Sequence, residues 1–158
     1  MKASIRQRAL TLGFEDCRFT NAAPPETAEH FMGWLALGRH GQMQYLARSA
    51  SKRIDPQQVL PGARSILVLA AAYAADPLSV VTAPRGFSQG VVARYARGAD
   101  YHDVLGEKLR ELAAFIDSLG GPNCRSRWYV DTGPLLERDL AQRAGLGFIG
   151  KHTNLIRR

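Results

Sequence analysis

A chain of 158 residues that is 46% hydrophobic and 22% charged has the length and composition of one soluble globular domain with its own core. Its formal net charge of +7 favours a polyanionic partner, nucleic acid first, although the basic residues form no polybasic tail. No apolar run is long enough to span a membrane, and the first ten residues lack the apolar middle of a signal peptide, so we expect a cytoplasmic protein without membrane contact.

The first half of the chain alternates predicted helices with predicted strands. A helix is predicted over 4–12, with Gly13 as its stop, and a short strand over 14–19. A second helix opens at Pro24-Pro25 and ends at Gly38; its inner stripe is expected to be Ala28, Phe31, Met32 and Leu35. The remaining segments are a short third helix over 42–50, a polar connector over 53–61, and a strand over 65–73 whose unbroken apolar run predicts cover on both faces.

The second half continues the alternation. It comprises a long loop over 76–90, a strand over 91–96, the most regular helix over 103–119, a strand over 127–131, a helix over 134–144 closed by Gly145, and an extended segment over 148–156. Strands alternating with helices predict an α/β or α+β domain with a central sheet covered by helices.

The two cysteines, Cys17 and Cys124, lie far apart, and the sequence contains no CxxC pair. A structural zinc site or an iron–sulfur cluster held within this chain is therefore excluded, and we predict no metal ligands. Free thiols are the expected state of both residues.

Asp131 is the leading candidate for a chemical group, because it stands where the predicted third strand meets the start of a helix. A carboxylate there is suited to proton transfer if its surroundings adjust its pKa. The same position also suits an aspartate that caps the helix, and the residues alone favour the cap.

Two further stretches carry candidate binding groups. The sequence GLGFIGKH, over 145–152, has the glycine spacing that lets a backbone approach a ligand, but a helix stop followed by a turn explains it as well. The stretch ARYARGADYHDVL, over 93–105, mixes basic and aromatic groups in a way that suits stacking and phosphate contact, and it holds Tyr101 and His102. An aspartate at 100 or 103 is expected to cap the following helix.

Three stretches occur together in a characteristic order: KRIDPQQVLPGARSILVLAAAY, ARYARGADYHDVLGEKL and VDTGPLLERDLAQRAGLGFIGKHTNLI. With them the sequence resembles the N-terminal, cobalamin-binding part of the epoxyqueuosine reductase family across nearly its whole length. The resemblance implies a nitroreductase-like or cobalamin-processing-like fold. It also implies reduction of epoxyqueuosine to queuosine in tRNA, the last step of queuosine biosynthesis, by a monomeric enzyme that uses cobalamin and iron–sulfur clusters.

The resemblance assigns roles residue by residue. Asp131 matches the proton donor, and Tyr101 and His102 fall in the substrate pocket. The residues that match cobalamin contacts are Arg53, Ala93, Arg94, Leu136, Glu137, Arg138 and Leu155. The cysteine motifs of both clusters, and the ferredoxin-like and helical-repeat parts, lie beyond Arg158 in the family, so we expect residues 1–158 to be a truncated single catalytic domain.

Two other functions stay open at this point. One is a redox-inactive module that binds cobalamin without turnover, because this chain lacks the eight cysteines that would hold two clusters. The other is a flavin nitroreductase-like enzyme, which shares the implied fold but not the three stretches.

Overall fold

The structure, a computed structural model, describes residues 1–73, 90 and 92–157. Its helices are α1 (Lys2–Thr11), α2 (Ala28–Ala36), α3 (Gln44–Arg48), α4 (Ala50–Ile54), α5 (Tyr101–Gly120) and α6 (Glu137–Arg143). Its strands are β1 (Asp16–Asn21), β2 (Ser65–Ala70), β3 (Phe148–Ile149) and β4 (Leu155–Ile156). Short 3₁₀ turns span Pro56–Gln58 and Arg94–Ala96.

The central sheet consists of β1 and β2, which pair antiparallel in an unbroken six-residue register. Cys17 lies opposite Leu69 and Phe19 opposite Leu67, so these four side chains share one face. That face packs on α1 and α5, and the buried centre of the resulting core is Ile5, Ala9, Phe14, Cys17 and Leu112.

The other face of the sheet is covered by α6. Thr20 and Ile66 are paired on this face, and the guanidinium of Arg143 donates to the Thr20 hydroxyl at 3.1 Å. Leu140 and Ala141 of α6 are buried. A mixed helix-and-strand domain with a helix-covered sheet is therefore confirmed, although β2 is half-buried along most of its length rather than fully enclosed.

Three predicted glycine stops lie at helix ends in the left-handed backbone region, with φ of 85° at Gly13, 65° at Gly38 and 76° at Gly145. After α6, the Leu146 N–H donates to the Ala141 carbonyl at 3.0 Å, which satisfies a carbonyl that the helix leaves free. The same type of bond ends the two earlier helices. The Phe14 N–H donates to the Ala9 carbonyl at 3.1 Å after α1, and the Arg39 N–H donates to the Trp34 carbonyl at 3.3 Å after α2. These positions favour glycine because a side chain is strained at positive φ.

Two predicted strands are wrong within the described residues. Residues 94–96 form a 3₁₀ turn, closed by the Ala96 N–H donating to the Ala93 carbonyl at 3.0 Å. Residues 127–131 enter no strand ladder, and the segment ends in a tight turn at Asp131. An apolar run becomes a strand only where a neighbouring strand offers backbone partners, and sequence periodicity does not report that neighbour.

Other boundaries shift. The predicted third helix is divided into α3 and α4 at Ser49, and Arg53 lies on α4 rather than on a polar connector. The inner stripe predicted for α2 is confirmed only in part: Ala28, Phe31 and Leu35 are half-buried, whereas Met32 is 42% exposed. The predicted loop over 76–90 lies outside the described residues apart from Gly90, as does Val91 of the predicted strand.

Within residues 1–73 and 92–157, no helix has both the length and the apolar character needed to cross a bilayer.

Candidate functional site

The centre of the candidate site is a hydrogen bond between two residues that lie thirty positions apart in the chain. The Tyr101 hydroxyl donates to the Asp131 carboxylate, with 2.6 Å between the two oxygens. Such a bond to an ionised acceptor is short and strong compared with one between neutral groups. The Asp131 carboxyl group is exposed, so it is both held and accessible.

The backbone at Asp131 is unusual. Its φ of 54° lies in the left-handed region, and the Thr132 N–H donates to the Val130 carbonyl at 2.5 Å across it, which closes a three-residue turn. Next to this turn, a Cβ at Gly133 would lie 2.5 Å from Cγ of Tyr129. A strained non-glycine backbone of this kind costs roughly 1–2 kcal/mol and is common at functional positions.

The capping interpretation of Asp131 is wrong. Helix α6 begins at Glu137, its N-cap position is Leu136, and no side-chain hydrogen bond caps it. The carboxylate of Asp131 faces Tyr101 instead.

Tyr101 is the first residue of α5, which places its side chain at a fixed point of a 20-residue helix. The helix start is capped by Asp100, whose carboxylate accepts from the His102 backbone N–H at 2.8 Å. The same carboxylate contacts His102 Nδ1 at 2.9 Å, so the ring of His102 is paired next to Tyr101. Tyr95 stands edge-on to the Tyr101 ring, with 5.9 Å between ring centroids.

The electrostatics of the pair follow from this bond. The hydrogen bond to the Asp131 carboxylate raises the pKa of Tyr101 to about 12, because losing the phenolic proton would place two negative charges together. Tyr101 is therefore a hydrogen-bond donor at neutral pH.

A second group of charges lies at the start of α6. Burial raises the pKa of Glu137, the negative charge of Asp131 raises it further, and the positive charge of Arg53 opposes both. The Arg53 guanidinium donates to the Leu135 carbonyl at 3.4 Å and to the Ser49 hydroxyl at 3.0 Å. Arg53 thus joins α4 to the segment between Asp131 and α6.

The β3–β4 hairpin is fixed to α6 by Arg138. Its guanidinium donates to the carbonyl of Thr153 and, at 3.0 Å, to the Thr153 hydroxyl, which supports a hairpin turn where Thr153 has a φ of 65°. Leu155 pairs with Ile149 in this hairpin and is half-buried.

The glycines of GLGFIG serve packing within the hairpin region. A Cβ at Gly147 would overlap the carbonyl oxygen of Ile156 and lie 2.9 Å from its carbonyl carbon. Gly145 closes α6, so the helix stop and turn account for both positions without a ligand.

The predicted site residues fall into two groups. Asp131, Tyr101 and His102 come together at the start of α5. The other group lies at the start of α6 and on the hairpin next to it: Arg53, Leu136, Glu137, Arg138 and Leu155. Ala93 is exposed and precedes the Arg94–Ala96 turn; the side chain of Arg94 lies outside the described part of the structure.

Sequence reasoning missed the residues that hold α6 in place. The Asp139 carboxylate, 6% exposed, accepts from the backbone N–H groups of Glu26 at 3.3 Å and Thr27 at 2.8 Å. One turn later, Arg143 donates to Thr20 and to the carbonyls of residues 21, 23 and 24, at 2.8–3.1 Å. The available signal was an acid and an arginine four positions apart on a predicted helix, which places both on one face.

No cluster of three or more potential metal ligands occurs among the residues that the structure describes. Cys17 is buried, Cys124 is partly exposed, and both are free thiols.

Comparison with known proteins relates this geometry to one family. The family model described as "Epoxyqueuosine reductase QueG, DUF1730" matches residues 53–132, half of the chain, and this range contains Arg53, Tyr101 and Asp131. The epoxyqueuosine reductase of Gloeobacter violaceus is 44% identical over 98% of this chain and 46% of its own length. The chain thus spans less than half the length of that relative.

Solved structures agree in fold. An epoxyqueuosine reductase with an epoxyqueuosine-modified tRNA-Tyr stem loop superposes with a TM-score of 0.77 at 33% identity, covering 98% of this chain and 40% of that one. The Bacillus subtilis epoxyqueuosine reductase, in which an aspartate catalytic loop is swung out of the active site, has a TM-score of 0.76 at 30% identity over the same shares. The chain belongs to the epoxyqueuosine reductase family.

Proposed function

We propose that this chain binds tRNA carrying epoxyqueuosine and takes part in removing the epoxide oxygen to give queuosine. The observation that carries the proposal is the 2.6 Å hydrogen bond between Tyr101 and Asp131, within the segment that matches the family model. The net charge of +7 suits an RNA partner, and a solved relative is bound to a modified tRNA stem loop.

In the proposed reaction, the exposed Asp131 takes up a proton from solvent and donates it to the epoxide oxygen as the first C–O bond breaks. A second proton from solvent joins the oxygen as the second C–O bond breaks. The net change takes up two electrons and two protons and releases the oxygen as water. The hydroxyl of Tyr101 stabilises the carboxylate that remains after Asp131 has given up its proton. General acid catalysis of this kind contributes about 10²–10⁴-fold to a rate.

We further propose cobalamin as the cofactor, held by residues around the start of α6. Arg53 and the half-buried Glu137 offer a donor and an acceptor on one side, and Arg138 and Leu155 extend the surface along the hairpin. This mixture of polar and apolar groups fits a large ring edged with amide groups. The cofactor would supply the low-potential cobalt that reduces the epoxide, while the protein orients the substrate and excludes water.

Residues 1–158 contain two distant cysteines, which cannot ligate an iron–sulfur cluster, so a test of these residues has to include a reductant. Binding of cobalamin without turnover therefore differs from the complete activity only in the electron supply. An assay with an added chemical reductant therefore distinguishes a redox-inactive cobalamin-binding module from an active enzyme.

The activity is tested with the purified chain, cobalamin, a titanium(III) reductant and a stem-loop RNA containing epoxyqueuosine. Mass spectrometry of the digested nucleosides measures queuosine. We expect Asp131→Asn to lower the rate by about 10²–10⁴-fold, and the matched control Glu29→Gln, an exposed acid on α2, to leave the rate unchanged.

Each failure has its own meaning. An Asp131→Asn variant as fast as the wild type would contradict the proton-donor role. A corrin absorption spectrum unchanged by the protein would contradict the cobalamin site, and a yellow purified protein would favour the flavin enzyme. Corrin binding with no queuosine formed would favour the redox-inactive module.

A further inference from the structure

A cavity lies next to the Tyr101–Asp131 pair. It measures about 380 Å³ and is lined by His102, Asp103, Gly106, Glu107, Arg110 and Trp128. This volume lies within the range of pockets that hold small planar ligands.

Both segments that line the cavity also carry a residue of the candidate site. One wall is α5, where His102 follows Tyr101 directly and the two rings lie 4.1 Å apart between centroids. The other wall is Trp128, three positions before Asp131 on the segment that leads into the strained turn. A group bound in the cavity is therefore a close neighbour of a substrate held at Asp131.

Trp128 is the main apolar surface of the cavity. Its six-membered ring lies over Gly106, where an added Cβ would be 3.6 Å from the indole, and the residue remains 38% exposed. Gly106 is buried beneath it. An indole that rests on a helix and keeps part of its surface accessible offers a ready stacking partner for a planar ring.

The charges of the cavity favour a base over a phosphate. Asp103 and Glu107 lie one turn apart on α5 and are acceptors that would repel a phosphate group. The same carboxylates suit the N–H donors on the edge of a nucleobase. Arg110 adds a planar cation that can stack on a base or contact the adjoining sugar–phosphate chain.

We propose that this cavity binds the unpaired nucleobase next to the modified nucleotide of the substrate RNA, stacked on Trp128. The proposal rests on the proposed function, because it names a subsite for the same RNA. Recognition of single-stranded RNA relies on splayed bases that stack on aromatic side chains and bond through their edges. Binding the neighbouring base fixes the register in which the modified nucleotide reaches Asp131.

The test is a thermodynamic cycle between the protein and the RNA, read by fluorescence anisotropy of a labelled anticodon stem loop. We expect Trp128→Ala to weaken binding about 5- to 150-fold, the equivalent of ~1–3 kcal/mol for one stacked base. Trp128→Phe, which keeps an aromatic ring, should stay within about threefold of the wild type. Phe148→Ala, at an aromatic residue that is 44% exposed and outside the cavity, should bind like the wild type.

An abasic nucleotide placed on either side of the modified one provides the second arm and leaves the protein intact. At one of the two positions it should weaken binding to the wild type as much as Trp128→Ala does, with no further loss when both changes are combined. Additive effects at both positions, or no effect of either abasic nucleotide, would overturn the subsite and leave the proposed function standing. Wild-type protein that does not bind the intact stem loop would overturn both.

Discussion

Replacing Asp139 with alanine should destabilise the fold by about 3–4.5 kcal/mol. The carboxylate is 6% exposed and accepts two backbone N–H groups from the segment that leads into α2, at 2.8 and 3.3 Å. Hydrogen bonds to a charged group contribute about 1.5–3 kcal/mol each, and the longer bond belongs at the low end of that range. Alanine removes both acceptor oxygens, and no other group on α6 accepts a hydrogen bond from the two N–H groups that remain.

Urea unfolding followed by tryptophan fluorescence measures this loss as a lower midpoint at an unchanged slope. Asp139→Asn should lose about half as much, because the amide oxygen still accepts one N–H while its NH₂ group faces the other. Glu111→Ala serves as the matched control, since its exposed ion pair with Arg8 is worth less than about 1 kcal/mol. If Asp139→Ala costs no more than the control, Asp139 does not hold α6 to the start of α2.

Two further predictions concern the site and the hairpin. Tyr101 should titrate near pH 12 in the wild type, measured as the tyrosinate absorbance that Tyr101→Phe lacks, and near its ordinary value of 10 in Asp131→Ala. Because the folded-state pKa is raised, the bond stabilises the fold below pH 10 and is lost as the pH rises towards 12. Gly147→Ala should lower the thermal midpoint in calorimetry, because its Cβ overlaps the Ile156 carbonyl, whereas Gly98→Ala, in open space, should not.

Features that depend on neighbouring residues in the chain were predictable. The stops at Gly13, Gly38 and Gly145 follow from the backbone conformation that a helix end requires, and the structure confirms all three. The helix over 103–119 was equally clear, because its apolar stripe repeats with the helical period over five turns. The observed helix extends it only to Tyr101 and Gly120.

Features that depend on distant partners were not predictable. The segment 127–131 has the composition of a strand but lacks a ladder partner in the described structure, and the apolar stripe of α2 is no more than half-buried. Asp139 and Arg143 bind residues more than a hundred positions away. Their spacing places both side chains on one face of a predicted helix, but it does not say which residues that face contacts, so only the fold reveals the partners.

Asp131 is one residue for which the local prediction was wrong and the decisive contact is distant. The sequence placed it between a strand and a helix, where it would either face a ligand or cap the helix, yet the structure has neither a strand before it nor a helix within five residues after it. The carboxylate is held instead by a side chain thirty positions away, on a helix whose own start is firmly capped.

This arrangement separates the fixed part of the site from the acid. Helix α6 is tied to the sheet and to the start of α2 by Asp139 and Arg143, and α5 is anchored in the core through Leu112. Asp131 has no such support: it is exposed, its backbone has a φ of 54°, and its carboxylate is bonded to Tyr101. A strained backbone persists only where neighbouring contacts compensate for its cost. The position of the acid therefore depends on the Tyr101 hydroxyl more than on secondary structure.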